Sequence, residues 1–115
     1  MEIKKEVILK TTSTWDGEEY ESVTIKKPEA TVLKITLPEK TKLAMHKHLM
    51  VNVVYILKGE LTIVTDKGVE RKVKAGESLA ELIDKFHYGK NDGNEPVEMI
   101  IFYYGEKDTQ LSVGE

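Results

Sequence analysis

Apolar and polar positions along this chain alternate with a period of two far more often than they recur every third or fourth residue. Runs rich in Val, Ile, Thr and Tyr predict strands over 6–11 (EVILKT), 22–27 (SVTIKK), 30–37 (ATVLKITL), 43–48 (LAMHKH) and 52–57 (NVVYIL). Further runs follow at 60–65 (ELTIVT), 69–74 (VERKVK), 77–83 (ESLAELI) and 97–104 (VEMIIFYY). The residues between them carry the complementary signal. Pro28 and Pro38 close two runs, and Lys58-Gly59 and Asp66-Lys67-Gly68 read as tight hairpin connections, because glycine takes the positive φ such turns need. Ala75-Gly76 and the segment 91–94 (NDGN) read as further turns. Short strands at regular spacing, with no helical period, predict an all-β sandwich or barrel.

Composition narrows the class. The chain has 115 residues, 40% of them hydrophobic, which predicts one domain over 1–115. Its core is expected over about 30–105, preceded by an N-terminal strand segment, 1–29, and followed by a loosely held polar tail, 106–115. Net charge is −3 and the lysines are scattered, so neither a nucleic-acid groove nor an anionic membrane surface is expected as partner. There is no cysteine, which removes disulfides, thiolate ligands and a Cys nucleophile and fits a reducing compartment. With no signal-peptide run and no bilayer-length apolar segment, a soluble cytoplasmic protein is the expectation.

The chemistry gathers on the histidines. Two of the three, His46 and His48, are one residue apart in a predicted strand. Residues i and i+2 of a strand share a face, with Cβ atoms about 6.5–7 Å apart, so two imidazoles can converge on one ion. The third, His87, follows another predicted strand and can complete the set. Imidazole suits Zn, Cu, Ni and Fe. The alternative is two polar residues on a solvated strand.

These residues and their spacing resemble the cupin superfamily. Its first motif runs Gly, five residues, His-x-His, three or four residues, Glu, six residues, Gly. Here His46-Lys47-His48 is followed at that spacing by Asn52 and Gly59. The second motif runs Gly, five residues, Pro, one residue, Gly, two residues, His, three residues, Asn. Here Gly76, His87 and Asn91 keep their places. The departures are Lys40 at the first Gly, Asn52 at the usual Glu ligand, Leu82 at the Pro and Asp84 at the second Gly. TWDG, HKH, FHYGKN and EPVEMIIFYYG together look like a group of small single-domain bacterial and archaeal cupins.

The resemblance implies a double-stranded β-helix (jelly-roll) barrel with a divalent metal ion inside: Zn, Ni, Fe, Mn or Cu on His46, His48 and His87, with Asn52 as a neutral fourth ligand through its amide oxygen. Asn52 as a hydrogen-bonded barrel residue is the equal alternative. Glu81 is the candidate for the carboxylate that Asn52 does not supply. If Leu79, Glu81 and Ile83 face inward it enters the cavity as ligand, as acceptor for a histidine or as catalytic base; if the register slips by one it is inert in solvent. Asn91 reads as a turn former, and Tyr103 and the other aromatics as core or cavity wall. Trp15 reads as part of a folded-over N-terminal segment, a cap on the cavity mouth, or a partner contact.

The function expected is that of a divalent-metal cupin, a small metalloenzyme of oxygenase or isomerase type acting on a small oxygen-bearing substrate. The alternative is a non-catalytic module binding a small ligand or metal. Metal loading is expected to fall as the pH drops below about 6.5, the ordinary imidazole value. A homodimer is expected, with residues 6–11 at the candidate interface, because exposed strand edges favour symmetric pairing.

Overall fold

The structure, a computed structural model, describes all residues from Met1 to Glu115. Its strands are β1 (Pro28–Leu37), β2 (Thr41–Lys42), β3 (His46–Lys47), β4 (Val51–Lys58), β5 (Glu60–Thr65), β6 (Glu70–Lys74), β7 (Ser78–Ala80), β8 (His87–Asn91), β9 (Val97–Glu106) and β10 (Val113–Gly114). One sheet has the order β1-β9-β4-β7; the other runs β10-β3-β8-β5-β6, with β2 alongside β8. Every pairing is antiparallel. This is the expected all-β jelly-roll layering, with the two sheets left unjoined rather than closed into a barrel. No helix is long and apolar enough to cross a membrane.

Four local expectations need correction. The runs at 6–11 and 22–27 form no strand. They have strand-forming residues, but residues 1–11 make no backbone–backbone hydrogen bond within the chain, and a strand exists only beside a neighbour. HYGKN, for which no strand is expected, instead forms β8, in the middle of its sheet between β3 and β5. Gly89 permits that placement, since a Cβ there would stand 3.1 Å from Leu61 Cδ1. The run 77–83 is a strand only over β7, after which the chain turns out of the sheet. Finally, the tail is tied down: Val113 and Gly114 pair with Lys47 and His46.

The inward faces change character from one end of the sandwich to the other. On β4 they read Asn52, Val54, Ile56; opposite them on β9 stand Tyr103, Ile101 and Met99. Leu37, Val54, Ile56, Leu61, Ile63, Val73, Leu79, Val97 and Met99 form the apolar cluster, and Ile56 and Val97 are wholly buried. Each such side chain contributes about 1.5–3 kcal/mol of burial free energy. The polar end holds Asn52, Tyr103, His48, His87 and Glu81, all buried.

Two of the four departures from the cupin motifs have a backbone explanation. Lys40 and Asp84, standing where the motifs have glycine, both adopt the left-handed conformation, φ 56°. The turns demanded by the motifs are kept, and a side chain is forced into the angle glycine takes freely. Gly59, which keeps its motif place, has φ 83°, and a Cβ there would stand 2.9 Å from Pro96 O.

Candidate metal centre

The three histidines are brought together by sheet register. His46 on β3 lies directly opposite His87, the first residue of β8, and His48 follows just past the end of β3. Their ring centroids are 4.8–5.1 Å apart, and one ring nitrogen from each lies within 4.8 Å of the other two. Two nitrogens on one tetrahedral ion at about 2.1 Å each stand about 3.4 Å apart, so the rings need to close by no more than about 1.4 Å. The three histidines thus form a group able to hold a metal ion.

Backbone carbonyls fix which nitrogen faces inward. His46 Nδ1 donates to Ala44 O (2.7 Å), His48 Nδ1 to Leu111 O (2.7 Å) and His87 Nδ1 to Lys85 O (2.9 Å). A carbonyl oxygen only accepts, so each Nδ1 carries a proton, and in the neutral ring each Nε2 presents a lone pair. His87 Nε2 is the one buried side-chain polar atom without a hydrogen-bond partner. Leaving such an atom unpaired costs about 1–3 kcal/mol.

Glu81 comes from the opposite sheet. It follows β7, its N–H donates to Asn52 O (2.9 Å), and its carboxylate is buried. Oε1 accepts from Trp15 Nε1 (2.8 Å) and from the Leu82 N–H (3.0 Å). Oε2 stands 3.6 Å from His87 Nε2. A carboxylate oxygen and an imidazole lone pair facing one another repel unless a cation or a proton lies between them. Asn52 is buried opposite Tyr103, and its amide nitrogen donates to Met50 O (3.0 Å), which leaves the oxygen as the end open to a further partner. Asn91 organises a turn: Nδ2 donates to Leu37 O and Glu95 O, and Oδ1 accepts from the Gly93 N–H.

Burial sets the charge states. It lowers the His48 and His87 rings to about 4, and neighbouring imidazoles push the same way. The expected loss of loading below about 6.5 therefore moves down for these two rings, which stay neutral well into the acid range. Burial raises the Glu81 carboxyl, against the Trp15 and Leu82 donors that favour its charged form. It also raises the Tyr103 phenol, with the Glu81 charge adding to the effect; the Tyr103 ring packs 5.7 Å from that of His48.

Sequence reasoning missed the Leu111 carbonyl. The one signal for it is the Leu111–Val113 alternation in a short polar stretch. It left Trp15 among three roles, and the structure folds the segment back, with the Trp15 N–H donating to Ala80 O (2.9 Å).

The family model for the cupin domain matches residues 33–103. The chain belongs to the cupin domain family. No curated protein sequence matches this cupin. Among solved structures, it is similar to a conserved Klebsiella pneumoniae protein with a double-stranded β-helix domain (TM-score 0.63, 17% identity, 84% of this chain and 91% of that one). It is also similar to a Thermotoga maritima protein described as a predicted oxalate decarboxylase (TM-score 0.57, 25% identity, 64% of each chain). A third likeness is to a DMSP lyase from Ruegeria pomeroyi (TM-score 0.61, 18% identity), of which this cupin spans 46% while 85% of its own length is covered.

Proposed function

We propose that this cupin binds a divalent metal ion on His46, His48 and His87 and acts on a small oxygen-bearing substrate, with Asn52 at the rim of the ligand set and Glu81 as the proton-handling group. What carries the reading is the convergence of three proton-free Nε2 atoms, with His87 Nε2 otherwise partnerless opposite Glu81 Oε2. Zn, Ni, Fe or Cu suits such a neutral imidazole set, and Mn suits it with oxygen ligands added; a bound ion would supply Lewis acidity, with redox capacity for Fe, Mn or Cu. The chain's own residues do the rest. The carbonyls of Ala44, Leu111 and Lys85 keep the rings oriented. Glu81, its carboxyl raised by burial, can hold a proton at Oε2 and return it. The Thermotoga likeness adds support, since oxalate is a small oxygen-bearing molecule.

Elemental analysis of protein purified without a histidine tag tests this. The expected result is about one divalent ion per chain, lost in His87→Ala. A wild-type protein that neither carries nor takes up Zn²⁺, Ni²⁺, Fe²⁺, Mn²⁺ or Cu²⁺ would refute it.

One observation favours the second reading, a binding module without turnover. Three grooves on this molecule, of about 530, 370 and 300 Å³, have none of the three histidines in their walls. His48 and His87 are buried, and half-buried His46 is the exposed side of the group. Saturable ligand or ion binding with no substrate consumed would favour that module.

The homodimer also belongs among the proposals. Ile3, Val7 and Ile8 are exposed on a segment whose backbone groups have no partner in the chain, which is the state a second copy would relieve. Sedimentation as a monomer at high concentration would remove it.

A further inference from the structure

Residues 12–20 form a closed strap outside the matched cupin segment. Ser13 bridges Glu19, the Tyr20 N–H donates to Thr12 O (2.9 Å), the Thr14 N–H to Glu18 O (3.0 Å) and the Gly17 N–H to Thr14 O (3.0 Å). Gly17, with φ 91°, closes the loop at an angle that favours glycine. Lys85 latches the strap to the loop before β8 by pairing with Asp16 Oδ2 (2.6 Å) and Glu18 Oε2 (2.5 Å). Trp15 points inward from it: its backbone N–H reaches Ala80 O, its indole N–H reaches Glu81 Oε1, and its ring packs against the apolar cluster.

Both donors to Glu81 fall on the same oxygen. Trp15 Nε1 and the Leu82 N–H converge on Oε1, which leaves Oε2 the one turned to His87 Nε2. Without the indole N–H, a single backbone donor would hold Oε1, and the carboxylate would be free to rotate about its last bond. The first cupin motif lacks its carboxylate here, because Asn52 stands in that place.

We infer that Trp15 is the positioning residue of the metal centre: by holding Glu81 Oε1 it aims Oε2 at the meeting point of the histidine Nε2 atoms, so that a strap outside the matched cupin segment returns a negative charge to the centre and sets its ion affinity. This rests on the three-histidine centre proposed above. It assigns the strap a role in the chemistry beyond covering the sandwich.

The probe is Co²⁺, titrated into metal-free protein and read by its visible absorption. Trp15 is the only tryptophan, so its fluorescence in the wild type gives a second reading at the site itself. Expected are saturable Co²⁺ uptake with parallel quenching of Trp15, loss of uptake in His87→Ala, and affinity lowered about 10- to 100-fold in Glu81→Gln. Trp15→Phe keeps the ring and removes the donor; it should lower affinity by about tenfold and alter the Co²⁺ spectrum. A packing defect would add its penalty in any background, whereas a residue acting through Glu81 should add little to Glu81→Gln. Circular dichroism identifies any variant that fails to fold, and the wild-type quenching is independent of them all. Failure of wild-type quenching to follow uptake would overturn the Trp15 role. So would a Trp15→Phe penalty that is absent, or undiminished in the Glu81→Gln background. No uptake by the wild type would sink the three-histidine centre itself. Uptake lost in His87→Ala but indifferent to Trp15→Phe and Glu81→Gln would leave the centre and remove only its strap.

Discussion

The two ends of the sandwich interior are built by the same strands and obey opposite rules. At one end Ile56, Val97 and Met99 gain from burial simply by being apolar. At the other, the same β4 and β9 deliver Asn52 and Tyr103, and burial there is a cost that hydrogen bonds offset in part. The His87 Nε2 atom is where that offset stops. A fold whose apolar end is well packed can hold such an atom in place, and local strain or unpaired polarity is tolerated where the surrounding structure overdetermines it.

Acidification should separate the two ends most sharply. His48 and His87 have folded values of about 4 against 6.5 unfolded. Between those limits the unfolded chain binds more protons, so metal-free protein loses stability as the pH falls, by on the order of 3 kcal/mol per ring once both states are protonated. Glu81 acts in the opposite sense: its raised value gives the folded state the extra proton, a contribution gained on the same descent. In Glu81→Gln that opposing contribution is absent, so the variant isolates the two rings. Its urea midpoints measured from about pH 7 to about pH 4 should decline, and a flat profile would mean that the rings are not desolvated as described.

At the apolar end, Ile56→Ala should lower unfolding free energy by about 2–5 kcal/mol at neutral pH while leaving Co²⁺ uptake by the folded protein unchanged. Loss of uptake at full occupancy of the folded state would show that the two ends are not separable. The smallest effect is expected at a strained turn. Lys40→Gly should raise stability by up to about 1 kcal/mol in thermal unfolding, even though the Lys40 Nζ bond to Asp92 O (2.6 Å) is lost. A decrease would mean that this contact outweighs the backbone strain.

Much of this was legible in the residues. Period-two alternation predicted β1, β4, β5, β6 and β9, and motif spacing singled out His46, His48 and His87 as one set before any contact was known. What failed did so for want of partners or of length. EVILKT has the residues of a strand and no neighbour to pair with, which no local pattern records. Alternation could not decide Glu81 either, because β7 ends at Ala80 and the next residues leave the sheet, so Glu81 and Leu82 are both buried. The glycine positions of the motifs were misleading by letter alone: Lys40 and Asp84 keep the angle without the residue. A carbonyl acceptor has no side-chain signature, so the Leu111–Val113 alternation points to a short strand without marking the His48 bond.

The Leu111 bond couples the last residues of the chain to the interior. Since His48 Nδ1 is anchored on Leu111 O and Gly114 pairs with His46, order in residues 111–114 and ring orientation rise and fall together. A fusion partner or purification handle joined after Glu115 therefore begins next to a segment that holds two imidazoles still. A handle there acts as a ligand-strength perturbation in its own right, and affinities measured with it in place belong to the fusion.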